Sequence, residues 1–232
     1  MSETQHHSQF RLLISPRFLP LFVTQALGAF NDNIFKNALV ILITYSAAAN
    51  LEGIDTQTLV ALAGGIFILP FFLFSPTAGQ FADKLPKAGL IRKVKLFEIL
   101  IMIAAAVGFA LEAPIMLLTV LFFMGAQSAI FGPLKYGILP ELLEEDELVG
   151  GNALIETATF LVILIGTLLG SLIVLRAYGL TVVSILCIGV AALGWLTSRQ
   201  IPDRPAASPG MKINYNFVSE TFHMIRFGYR DL

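Results

Sequence analysis

The chain has 232 residues, of which 56% are hydrophobic and 13% charged, with a formal net charge of −1. Soluble domains carry about a quarter charged residues, so this composition excludes an ordinary soluble domain. The near-neutral balance removes the electrostatic basis for binding nucleic acid. Cys187 is the single cysteine and lies in an apolar run. No intramolecular disulfide is available to it, and neither a metal cluster nor a cofactor motif accompanies it, so no metal or cofactor is expected.

A membrane-spanning helix needs roughly 20 predominantly apolar residues. No charge falls between Asp55 and Asp83, between Glu112 and Lys135, between Glu156 and Arg176, or between Arg176 and Arg199. These runs predict an all-α membrane protein of six transmembrane helices, over Arg17–Tyr45, Gln57–Ala82, Lys93–Leu111, Pro114–Leu139, Gly151–Leu175 and Leu180–Ser198. The first run lacks a small-residue cleavage site and is expected to remain as an anchor. Short connections imply a compact bundle.

The first span carries Asn31, Asp32, Asn33 and Lys36. Asp32 lies ~22 Å along the helix from Arg17 at 1.5 Å per residue, deep in a ~30 Å hydrocarbon core. Asp32 and Lys36 are four apart, on one helix face, where they can pair. Each such charge costs at least ~2.5–3.5 kcal/mol to insert, so both must face a bundle interior or a wet cavity. An interhelical clamp and a site for substrate or coupling ion both meet that condition, and the default for intramembrane charges favours the site.

The second span contains Pro70 and Pro76 and ends in Gly79, Ala82, Asp83, Lys84 and Lys87. Glu98, about one turn into the third span, is expected to reach only the interface. The fourth span holds Gln127 and then Gly132 and Pro133, which should interrupt the helix. Lys135 and Tyr136 follow, Lys135 either snorkelling to the headgroups or serving a site. Glu156 sits about two turns into the fifth span, in position to face a cavity. Gly166 and Gly170 in that span suit close helix packing. Interrupted, polar segments at matching places in paired repeats point to a binding site, which here joins Phe30–Asp32 to Phe131–Pro133. Histidine is absent from every span, which argues against hydrolase or acyltransferase chemistry in this segment.

Lys and Arg placement sets topology. Arg11 and Arg17 precede the first span. The second connection carries Lys84, Lys87, Arg92, Lys93 and Lys95, and Arg199, Arg204 and Lys212 follow the last span. Ser46–Thr56 has neither Lys nor Arg. Both termini are therefore expected in the cytoplasm. Residues 1–199 form the bundle. Residues 200–232 begin as a Pro/Ala/Ser-rich linker. Beyond it Val218, Phe222, Ile225 and Tyr229 fall at helical spacing, as an interfacial amphipathic helix or the approach to a seventh span. The chain reads as lacking a second six-helix half.

Gly79, Ala82, Asp83, Lys84 and Lys87 resemble the loop signature of the major facilitator superfamily, with departures at Pro86 and Ala88. Together with Asn31–Asn33 and Pro133–Leu139, they are similar to the lysophospholipid-transporter branch of that superfamily. Some members of that branch are fused to an acyltransferase and an acyl-carrier-protein ligase. The resemblance implies the N-terminal bundle of a facilitator, a three-plus-three inverted repeat, with Gly79, Asp83, Lys84 and Lys87 in a gating loop. It also implies inward flipping of lysophospholipids across a bacterial inner membrane for re-acylation, with the bilayer and the lipid as partners. Asn31, Asp32, Asn33, Lys36, Gln127, Lys135, Tyr136 and Glu156 are the candidate substrate or ion residues, because a zwitterionic head needs paired opposite charges. Two other readings stand: a facilitator-type exporter of small solutes or drugs, and the membrane anchor of a phospholipid-acylating fusion enzyme.

Overall fold

The computed structural model describes residues 9–45 and 55–211. A short 3-10 helix, Gln9–Ile14, precedes six long helices: α1 Leu19–Tyr45, α2 Thr56–Lys84, α3 Lys87–Ala110, α4 Pro114–Leu142, α5 Leu148–Val174 and α6 Gly179–Ser198. Five of them are long and apolar enough to cross a membrane by length and composition. The sixth, α3, contains Lys93, Lys95 and Glu98 and is the most charged of the set.

Local sequence sets the helix ends. Asp55 caps α2, accepting hydrogen bonds from the Thr58 backbone N–H at 2.9 Å and the Thr58 hydroxyl at 2.8 Å. These bonds favour the carboxylate and hold Asp55 below its ordinary value of 3.8. Pro114 opens α4 at the first turn, where its missing N–H costs nothing. Between α5 and α6, Tyr178 takes a left-handed φ of 60°. The next residue, Gly179, has no room for a side chain: a Cβ there would lie 2.3 Å from the Ile173 carbonyl oxygen. The turn therefore requires glycine at that point.

Two expected boundaries move. The third span begins at Lys87 rather than Lys93, because only Leu85 and Pro86 separate α2 from α3. Gly132 and Pro133 do not interrupt the fourth span, and α4 runs unbroken through Pro133 and Pro140. Proline forfeits one backbone bond and crowds one carbonyl. Within a bundle, neighbouring groups re-satisfy what is freed, and α4 lies against both α2 and α3.

The pattern of packing carries a repeat. α1 packs on α5 and α6, α4 packs on α2 and α3, and α3 packs on α6. Exchange α1 with α4, α2 with α5 and α3 with α6, and this set of pairs maps onto itself. Two three-helix repeats related by a two-fold axis require that self-mapping. With no water to drive helices together, association depends on close contact. Gly166 and Gly170 let α5 reach the backbone of α1: a Cβ at Gly170 would fall 2.6 Å from the Ile34 carbonyl oxygen.

Along the bundle axis the interior has three layers. One apolar cluster contains Leu21, Ile91, Leu134 and Leu154, and another contains Ile34, Ile101 and Met124. Between them in sequence, on α1, α3 and α4 alike, fall the buried polar residues Asn31, Lys95, Glu98 and Gln127. The buried Lys95–Glu98 pair and its amide partners thus occupy the middle storey, while the end storeys are mainly hydrocarbon, with Lys87 buried at the start of α3 and Ser198 at the end of α6.

Candidate functional site

Asp32, Glu98, Gln127 and Ser128 each lie near the midpoint of their own helix. Glu98 accepts three bonds: from the Asn31 amide at 2.9 Å, from the Lys95 ammonium at 2.7 Å and from the Gln127 amide at 3.1 Å. The Ser128 hydroxyl oxygen lies 2.6 Å from Asp32 Oδ2 and 3.0 Å from Gln127 Oε1, and its single proton has Asp32 as the nearer acceptor. These contacts close a ring through α1, α3 and α4: Asn31, Glu98, Gln127, Ser128, Asp32 and back along the α1 backbone.

Lys95 reaches the ring because Gly28 on α1 leaves space for it. A Cβ at Gly28 would stand 2.2 Å from Lys95 Nζ. Lys95 and Glu98 are each 1% exposed, and Lys95 Nζ also lies 4.6 Å from the centre of the Phe131 ring. A buried ion pair is tolerable only when its remaining hydrogen-bonding capacity is filled, and Asn31 and Gln127 supply that. Glu98 was expected at the interface. The early start of α3 puts it at mid-helix instead. Lys95, counted with the cytoplasmic connection, lies inside the bundle for the same reason.

Asp32 is different. Ser128 holds one of its oxygens, while Oδ1 is buried with no hydrogen-bond partner. The expected pair with Lys36 does not form. Lys36 Nζ lies over the Phe67 ring of α2, 4.6 Å from its centre. Helical spacing makes the pair available, but α2 draws the ammonium to an aromatic face. Asp32 is thus a carboxylate at mid-bundle without an ion-pair partner among the described residues. Asn33 does not join it: its amide donates to the Ala29 carbonyl at 2.7 Å, and its Cβ faces Gly166.

Lys135, Tyr136 and Glu156 form a second group, away from the first. The Tyr136 hydroxyl donates to Glu156. Lys135 lies 3.5 Å from the same carboxylate, with side chains 12% and 42% exposed. Lys135 is about 10 Å from the Leu142 end of α4, and Glu156 about 12 Å from the Leu148 end of α5, at 1.5 Å per residue. Lys135 does not snorkel free, because its ammonium is paired across two helices.

The signature at the α2–α3 junction is divided. Lys84 closes α2 and Asp83 is exposed. The Asp83 carbonyl accepts from the Ser208 N–H at 2.8 Å. Lys87 is not in a loop: it opens α3, is 3% exposed, and pairs with Glu141 of α4 at 2.6 Å. Its stem crosses Gly137, where a Cβ would meet Lys87 Cε at 2.9 Å. Nearby, Arg92 bonds the Ile201 carbonyl at 2.8 Å and Asp203 at 3.1 Å. The segment after α6 is therefore strapped to the start of α3. Arg17 and Glu147 pair at 2.6 Å on the same side. Sequence reasoning missed Lys95, Glu98 and Ser128 as members of the core ring. Glu98 spaced three residues after Lys95 was the available signal.

Six helices in a self-mapping three-plus-three arrangement, with charges enclosed at mid-bundle, define a multi-pass membrane protein of transporter type. The model of the Major Facilitator Superfamily matches residues 19–228, and the chain belongs to that family. It is 30% identical over 212 residues to the lysophospholipid transporter LplT of Enterobacter sp. (strain 638), covering 89% of this chain and 49% of that protein. The protein of that name from Klebsiella pneumoniae (strain 342) is 29% identical over 222 residues, covering 96% and 52% respectively. The Escherichia coli O1:K1 protein is 30% identical over 221 residues, covering 95% and 51%. The chain spans about half the length of the curated relatives it matches.

Proposed function

We propose that this chain is the N-terminal half of a transporter that moves lysophospholipids inward across a bacterial inner membrane, where they are re-acylated. Residues 1–199 are the bundle, and residues 200–232 lead toward a second six-helix half. Both termini lie in the cytoplasm, and the bundle itself does no acyl chemistry. The single observation carrying the reading is Asp32. It is a carboxylate at mid-bundle with one oxygen unpartnered, in a family whose relatives here bear the name lysophospholipid transporter.

A lysophospholipid such as lysophosphatidylethanolamine offers an ammonium and a phosphate on one head. Asp32 takes the ammonium. The phosphate falls to the cations that do not serve Glu98, namely Lys36 on its aromatic platform and Lys135 beside Tyr136 and Glu156. Asn31 and Gln127 hold the floor of the site through Glu98. Gly79, Asp83, Lys84 and Lys87 act at the cytoplasmic end as a latch rather than at the substrate.

The test is uptake of labelled lysophosphatidylethanolamine by vesicles bearing protein expressed from its complete reading frame. Asp32→Asn keeps the shape and removes the charge. Losing a charge-assisted contact of ~1.5–3 kcal/mol predicts roughly a 10- to 150-fold loss of transport at matched expression. The double variant with Lys36→Met should remain inactive, since Asp32 and Lys36 are not a clamp. Wild-type uptake by Asp32→Asn, or recovery in the double variant, overturns the assignment.

A further inference from the structure

We propose that Lys135 and the Tyr136 hydroxyl form a seat for the phosphodiester of a lysophospholipid, and that Glu156 sets the selectivity of that seat. Glu156 fills it when no lipid is bound, and repels head groups whose phosphate carries a second charge. This rests on the lysophospholipid reading above and gives Glu156 a role toward the same substrate.

Two donors converge on a single oxygen. The Tyr136 hydroxyl donates to Glu156 Oε1, and Lys135 Nζ lies 3.5 Å from that same atom. Lys135 Nζ also stands 4.3 Å from the centre of the Tyr136 ring, so α4 presents ammonium and hydroxyl together. An ammonium and a hydroxyl aimed at one point suit a phosphate oxygen. The Glu156 carboxylate, arriving from α5, stands where that oxygen would.

Glu156 holds the seat loosely. The four other ion pairs among the described residues close at 2.6 to 3.1 Å, and this one stops at 3.5 Å. The Lys135 side chain is largely buried and has little water to fall back on, whereas Glu156 is exposed enough to turn outward. Lys135 therefore gains from a closer anion, and Glu156 loses little by leaving. Room for the exchange is present. Gly132 lies one turn back on the face of α4 that carries Lys135 and Tyr136, and a Cβ there would meet nothing within 4 Å. α4 packs on α2 and α3, and α5 on α1, rather than chiefly on each other.

Charge decides which phosphate is accepted. A phosphodiester carries one negative charge, which Lys135 balances once Glu156 has swung aside. A phosphomonoester carries about 1.5 to 2 negative charges at pH 7, more than Lys135 cancels, and the displaced carboxylate stays a side chain's length away. Like charges so placed are costly, and a group that repels the wrong ligand is a common source of specificity.

The experiment measures equilibrium binding of two labelled lipids to the purified full-length protein. Lysophosphatidylglycerol is a phosphodiester and lysophosphatidic acid a phosphomonoester. Neither has an ammonium, so Asp32 does not enter the comparison. Wild type should prefer the diester by roughly tenfold or more. Glu156→Gln, whose amide oxygen still accepts from Tyr136, should bind both lipids more tightly and about equally. Lys135→Met and Tyr136→Phe should weaken both. Inorganic phosphate should displace neither lipid; displacement by it makes this a seat for free phosphate and overturns the assignment to lipid. Absence of saturable binding, a preference unchanged in Glu156→Gln, or weaker binding of both lipids by that variant also overturns the proposal. Tyr136→Phe leaves every charge in place, and unchanged binding there overturns the seat even if Glu156→Gln does not fold. The two readings fail separately. Lysophospholipid uptake by vesicles bearing wild type and Glu156→Gln, with one and the same preference for diester, overturns the seat and leaves the transporter. A binding preference that Glu156→Gln abolishes, in protein that moves no lysophospholipid, does the reverse.

Discussion

At the scale of single residues, Lys95 and Glu98 carry the heaviest structural demand. Each is 1% exposed, and each neutralises the other. Removing one partner of such a pair strands a charge and costs about 3–5 kcal/mol. Lys95→Met should therefore lower the thermal midpoint of detergent-solubilised protein sharply, while Lys95→Met with Glu98→Gln recovers most of it. A double variant no more stable than the single shows that the pair is not the unit. Asp55 offers a pH-dependent case at the surface. Its folded value lies below the ordinary 3.8, so the cap stabilises α2 above the unfolded value. It fades as pH falls through the depressed folded value. Protection of the Thr58 amide against exchange, referenced to the intrinsic rate at each pH, should drop in acid for wild type. In Asp55→Ala it should be low throughout.

Legibility at this scale was uneven. Asp32 stood out because a charge far from both ends of an apolar run has few benign explanations. Its partner was misjudged. Spacing on one helix offers Lys36, but Phe67 on another helix takes it, and Ser128 takes Asp32. Such choices belong to tertiary packing, which one helix's sequence does not contain.

At the scale of elements, the long apolar runs were readable almost to their ends, because hydrocarbon thickness and backbone bonding leave little freedom. The exception was α3. Reading its basic stretch as a connection placed the helix start six residues late, at Lys93 instead of Lys87, and pushed Glu98 toward the surface. Prolines misled in the other direction, since Pro133 kinks no visible break into α4. The α1–α5 seam is set by Gly166 and Gly170, as their spacing suggested. Gly170→Leu sets side-chain atoms against the Ile34 backbone, whose carbonyl oxygen is 2.6 Å from the position of a Cβ. Backbone does not yield as a flexible side chain does, and overpacking costs about 1–3 kcal/mol. Folded yield should fall for Gly170→Leu. It should stay near wild type for leucine at Gly64, where nothing lies within 4 Å. Equal yields for the two variants contradict this account of the seam.

At the scale of the whole molecule, the positive charges predict sidedness. A cysteine at Asp83, which is exposed, should resist an impermeant thiol reagent added to intact cells. One at Asp55 should react. Cys187 is buried and gives a quiet background. The opposite labelling pattern reverses the topology. The repeat was legible only through the family resemblance. Its physical trace, a packing pattern that maps onto itself, appears once helices are placed against one another.

The enclosed charges of α3 also constrain how the molecule is made. On leaving the ribosome, α3 presents Lys93, Lys95 and Glu98 to the insertion machinery before α4 exists. Charges near a helix centre each weigh about 2.5–3.5 kcal/mol against entry. Asn31, already delivered in α1, supplies one partner for Glu98. Gln127 supplies another only after α4 is synthesised. The third helix therefore settles in the bilayer as a dependent of its neighbours, and the bundle matures as a unit rather than one span at a time.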